Sequence, residues 1–150
     1  MFAVILATII CSAAPVKDLT VHPRETRVKI VDLYTVDQLL DAMYTVESNR
    51  GRVLVGDGGK AIGPYQIWKA YWQDAVEWDK TIGGEYKDCM NKAYAEKIVR
   101  AYWKRYAPKG ATIEQLARIH NGGGPRGHLN PNTIKYWNKI QKELHKELSK

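Results

Sequence analysis

The amino-acid sequence predicts an α+β domain, mostly helical, with about five helices and one small β-hairpin. Three observations predict it. Apolar residues recur at helical spacing in several segments, two of those segments open on a Thr-x-x-Gln capping box, and one β-branched run leads straight into a glycine-rich turn. With 150 residues, 45% of them hydrophobic, the chain is long enough for one domain with a proper core and short for two.

The opening residues, MFAVILATIICSAA, are almost wholly apolar and end in small side chains. That is the pattern of a cleavable secretory signal rather than of a spanning helix, with an N-terminal anchor as the alternative reading. Cleavage is expected after Ala13, since a cut after Ala14 would leave Pro15 next. Residues 1–13 are therefore read as signal, 14–34 as an extended lead-in with a short strand at 28–33, and 35–150 as the folded domain. Removing the signal takes Cys11 and leaves Cys89 alone, so the mature chain has no internal disulfide and depends on packing.

Thr35 and Gln38 cap a first helix running to about Ser48, with Val36, Leu39, Leu40, Met43 and Val46 at helical spacing. The stretch RVLVGDGGKAIG that follows predicts the hairpin. Pro64 suits the first turn of a second helix, from Tyr65 to about Trp78. A third helix spans Lys87 to Tyr106 and stops before Pro108, its stripe made by Met90, Tyr94, Ile98, Ala101 and Tyr102. Thr112 and Gln115 cap a short fourth helix ending near His120, where Gly122-Gly123-Gly124-Pro125 breaks it. Asn130-Pro131 read as N-cap and first residue of a final helix carrying Ile134, Trp137, Ile140, Gln141 and Leu144.

The formal charge is +7, so an acidic partner is expected. Its Lys and Arg residues are dispersed, without a run of five and without zinc-finger or helix-turn-helix spacing. Specific nucleic-acid binding is accordingly disfavoured against an anionic polymer such as a bacterial wall. No cofactor or metal is called for, and a monomer is expected.

Glu47 falls on the apolar stripe of the first helix, eleven residues after Val36. Both partial burial and the helix macrodipole disfavour a negative charge there, which is the environment of a general acid. An ordinary Glu reaching solvent from a fraying helix end is the competing reading. Asp57 is the only carboxylate of the hairpin, flanked by Gly56, Gly58 and Gly59. It is either the second carboxylate of a glycosidase pair or a plain Asp-Gly turn. Tyr65 and Gln66 stand beside the hairpin as candidate sugar binders, whereas Trp68, Tyr71, Trp72 and Trp78 are expected to be mostly structural. His120 and Asn121 sit at a helix end before the glycine run, where a satisfied core histidine is the bland alternative.

In this order, Glu47-Ser48, Gly63-Pro64-Tyr65-Gln66-Ile67 with Ala70-Tyr71-Trp72, and Ala117-Arg118-Ile119-His120-Asn121-Gly122-Gly123 resemble the invertebrate-type (destabilase-like) lysozymes. More loosely, the set is similar to soluble lytic transglycosylases. The resemblance covers roughly residues 39–140 and implies a lysozyme-like fold and cleavage of β-1,4 bonds in peptidoglycan. It implies that Glu47 matches the family's acid and Asp57, across a one-residue gap, its second carboxylate. Tyr65, Gln66, His120 and Asn121 match cleft positions. The chain departs from the family in its scarcity of Cys, its extra glycine at 122–124 and its hairpin length. A silent glycan-binding protein and a transglycosylase relying on Glu47 alone are the other functions compatible with the residues.

Overall fold

In a computed structural model that describes residues 33–149, Thr35 caps the first helix as its side chain predicts. It accepts from the Gln38 amide while Gln38 reaches back to the Thr35 amide, and helix α1 then runs Val36–Ser48. Asn49 ends it in the left-handed conformation (φ 50°, ψ 50°). The signal sequence, Cys11 and the lead-in up to residue 32, including most of the expected strand, lie outside the described residues.

The β element is larger than one hairpin. Strands β1 (Val55–Gly56), β2 (Ala61–Ile62) and β3 (Ile67–Trp68) form an antiparallel meander in that order, pairing Val55 with Ile62 and Ala61 with Trp68. Ile67 and Trp68 therefore leave the second helix to which the sequence assigns them. The reason is local. Gly63 (φ 78°) and Gln66 (φ 46°) are left-handed, and a right-handed helix does not pass through such residues, so Pro64 lies in a turn and α2 spans only Lys69–Trp78.

The third predicted helix also divides. Tyr86–Met90 is a 3-10 segment, Asn91 is extended and caps Tyr94 with its side chain, and α3 runs Lys92–Tyr106. Met90, assigned to the apolar stripe, is instead 42% exposed. The Thr112–Gln115 capping box opens α4 (Ile113–Gly122) as expected, two residues longer than the sequence suggests. Asn130 caps a 3-10 turn, Pro131–Thr133, before α5 (Ile134–Leu148) begins.

Ile98 and Val99 of α3 are fully buried in one core cluster that also holds Leu39 and Met43 of α1, Ile119 of α4 and Ile140 and Leu144 of α5. Cys89 is a free, buried thiol whose pKa burial pushes up to about 12, so it packs as a small apolar group and has little thiolate character.

A partly buried polar link joins the meander turn to α3. The Tyr65 hydroxyl donates to Glu96 Oε1 at 2.8 Å, and Lys92 pairs with the same oxygen. Burial pushes the Glu96 carboxyl up, but the bonds from Lys92 and Tyr65 outweigh it and hold the group below its ordinary value. A lowered folded pKa gives stability that is complete above the unfolded value of about 4.3 and is lost as pH falls through the folded one. Thermal melts should show a falling Tm below about pH 4, and Glu96→Gln should flatten that decline. An unchanged acid dependence in the variant would move the effect to other carboxylates.

Candidate active site

The last turn of α1 brings Glu47 into the lining of a cleft of about 460 Å³, to which the β-meander contributes Asp57, Gln66 and Trp68. Helix α2 adds Ala70, Tyr71 and Asp74, and the end of α4 adds His120, Asn121 and Gly122. Of the residues singled out in the sequence, Glu47, Asp57, Gln66, His120 and Asn121 thus line one cleft.

Tyr65 does not. Its ring is fully buried and its hydroxyl is committed to Glu96, so a sugar cannot reach it. What Tyr65 contributes is its carbonyl oxygen, 3.2 Å from His120 Nε2. A carbonyl can only accept, so Nε2 carries a proton. In the neutral ring Nδ1 then accepts from the Tyr71 hydroxyl at 3.1 Å. His120 is 9% exposed and is held from both nitrogens. It is therefore both a satisfied buried histidine and a cleft residue.

Glu47 has a side chain 16% exposed. His120 Nε2 lies 3.6 Å from its Oε1, a charge–dipole contact rather than a hydrogen bond. The buried Tyr136 hydroxyl lies close to the same carboxylate without meeting hydrogen-bond geometry. Burial first, and then the Glu47 charge, push the Tyr136 phenol well above its ordinary pKa. Tyr71 is raised in the same way by burial, the Tyr102 ring and Glu47. Glu47 thus lines the cleft near two buried phenols that stay protonated. Ser48 closes the helix end beneath it, donating to the Tyr44 carbonyl and accepting from the Gly51 amide.

Asp57 is exposed and sits at the start of the 3-10 turn Asp57–Gly59 in a left-handed conformation (φ 48°). A non-glycine residue held there costs roughly 1–2 kcal/mol. The Trp68 indole donates to its Oδ2 at 3.2 Å and fixes the carboxylate on the cleft wall. Gln66 braces the same wall. Its amide donates to the carbonyls of Gly63 at 3.0 Å and Val53 at 3.3 Å, and a Cβ at Gly56 would stand 2.1 Å from its Oε1. Gly56 is therefore the space that Gln66 fills, and most of its hydrogen bonding goes to backbone.

Sequence reasoning missed Trp68, Asp74, Tyr102 and Tyr136 as site residues. Trp68 is 47% exposed beside Asp57, a ring face available for sugar stacking. Asp74 accepts from the Tyr106 hydroxyl at 2.9 Å and faces Arg105, which occupies its charge. Tyr102 stacks on Tyr71 with centroids 3.5 Å apart and accepts from the Gly124 amide, holding the glycine run in place. Ala70 and Asp74 stand one turn apart on one face of α2, but the helix assigned from the sequence already has that spacing, so no signal along the chain marks Asp74 as a cleft residue.

The chain matches a family model described as Destabilase over residues 37–143. It is 41% identical over 85 residues to a lysozyme of Magallana gigas, covering 54% of this chain and 58% of that one. To lysozyme 1 of Crassostrea virginica it is 41% identical over 83 residues, covering 53% of this chain and 42% of that one. Its structure is similar to that of an inhibitor-bound lysozyme from Meretrix lusoria, at 37% identity and a TM-score of 0.60, covering 70% of this chain and 87% of the other. The matched segment spans about half the length of the two curated relatives.

Proposed function

Because the chain belongs to the Destabilase family, we propose that it is a lysozyme, a glycoside hydrolase acting on the β-1,4 bonds of bacterial peptidoglycan. The observation that carries this reading is the placement of Glu47, largely buried beside His120 and near the phenols of Tyr71 and Tyr136, in a cleft that the exposed Asp57 also lines.

Glu47 donates its proton to the glycosidic oxygen as the bond breaks. Asp57, held by Trp68, stabilises or covalently traps the developing glycosyl cation. Water then completes the cycle with Glu47 as base. His120 is a positioning residue, fixed by Tyr65 and Tyr71 so that its Nε2 stays 3.6 Å from Glu47 Oε1. Asn121 and the Trp68 face are the groups that meet the sugar. Secretion, through the N-terminal signal, brings the enzyme to bacterial walls in a defensive or digestive setting.

The test is clearing of Gram-positive walls by the purified protein, with mass spectrometry of the soluble products. Reducing-end muropeptides support hydrolysis, whereas anhydro ends would replace it by transglycosylation. Binding without soluble fragments would make the protein a silent glycan binder. Asp57→Asn keeps the Trp68 contact while removing the negative charge, and should slow clearing by about 10²-fold if the charge stabilises the cation. Clearing at the parental rate would remove Asp57 from the mechanism.

A further inference from the structure

The basic residues that are dispersed in sequence become ordered on α5. Lys135, Lys139, Lys142 and Lys146 follow one another at steps of four, three and four residues, which return to a single stripe of an α-helix. Along the axis the charges are about 4.5–6 Å apart. All four lysines are exposed, whereas Tyr136, Trp137, Ile140 and Leu144 of the same helix are buried. Lys146 pairs with Glu143 at 2.7 Å, and the other three have no ion pair among the described residues. Lys139, Lys142 and Lys146 also border a groove of about 500 Å³ between this helix and Val46 of α1, whose lining shares no residue with the catalytic cleft.

We propose that this stripe and its groove form a second binding site, for the phosphate-bearing anionic polymers of Gram-positive walls. The inference rests on the wall-directed reading above. The stripe is a line of point charges spaced to follow a repeating anion. Its apolar face is committed to the core, so α5 cannot insert into a bilayer as an amphipathic helix does. Its aromatic residues, Tyr136 and Trp137, are buried and offer no platform for nucleic-acid bases. Polymer held on α5 keeps the cleft close to the glycan between cutting events and raises the effective substrate concentration.

Co-sedimentation of the Glu47→Gln chain with intact walls, and with walls stripped of phosphate polymer, tests the site across a NaCl series. Stripping the walls, or replacing all four lysines by Gln, should each lower affinity about tenfold or more, and the two losses should not add. The slope of log affinity against log salt should fall by about 3 in the Gln variant, and four Lys→Arg changes should restore it. Intact walls bound equally by parent and Gln variant would overturn the proposal, as would parental binding that ignores stripping. Stripe-dependent capture by phosphatidylglycerol vesicles or duplex DNA, tighter than by walls, would also overturn it and assign the face to that partner. With Glu47 restored, the Gln variant should cleave soluble chitooligosaccharides at the parental rate, and a loss there matching the loss of wall binding would make the stripe part of the cleft. Wall retention decides the stripe even if Glu47 proves not to be catalytic.

Discussion

Glu47→Gln is expected to lower wall clearing by about 10²–10⁴-fold without loss of the fold. The amide has the shape of the acid and fills the same space between Tyr136 and His120, so packing is preserved. It cannot deliver a proton to a leaving oxygen, and it carries no charge to act as base in the second half of the cycle. Turbidity clearing and a thermal melt on the same preparation check both halves. Loss of activity with a Tm near the parent's is the expected pair. Full activity would transfer the acid role to another group of the cleft.

Gly63→Ala is expected to have the largest effect on stability, about 3 kcal/mol or more, corresponding to a fall in Tm of about 10 °C or more. A Cβ there would lie 1.9 Å from the Cys89 carbonyl oxygen and 2.7 Å from its carbon, and backbone cannot swing away as a side-chain end can. The residue also has φ 78°, which alanine adopts only with strain. Its amide donates to the Leu54 carbonyl and its own carbonyl accepts from Gln66, so displacement would open the turn that carries the Gln66 brace. Gly58→Ala is the control. That position is equally left-handed but has nothing within 4 Å of a Cβ, so only the backbone strain, roughly 1 kcal/mol, should appear. Equal Tm losses in the two variants would mean that strain, and not the close approach to Cys89, decides the effect.

The helices that the sequence announces most clearly are those with caps. Thr35–Gln38 and Thr112–Gln115 fix the starts of α1 and α4 because the capping contacts are local and need no tertiary partner. The same locality makes Glu47 legible, since a carboxylate on an apolar stripe conflicts with its own helix. Legibility fails where a tertiary contact overrides a local preference. Pro64 favours a helix start, yet the approach of Gly63 to Cys89 and the left-handed Gln66 turn that segment into a strand connection. Asn91 looks like an interior helix residue until its side chain is seen capping Tyr94.

By itself, then, the sequence determined the helical class, the caps, the position of Glu47 and the order of the motifs. These depend on spacing along the chain. Tertiary structure alone decided that Tyr65 supports the site through its carbonyl while its ring joins the core, that Trp68 holds Asp57, and that Tyr136 lies close to Glu47. These contacts join residues up to 89 positions apart, and no periodicity of one segment specifies which side chain of a distant segment will face it. The physical reason is that burial is shared: each helix determines which face it hides, but the partner of that face is chosen by packing the whole core at once.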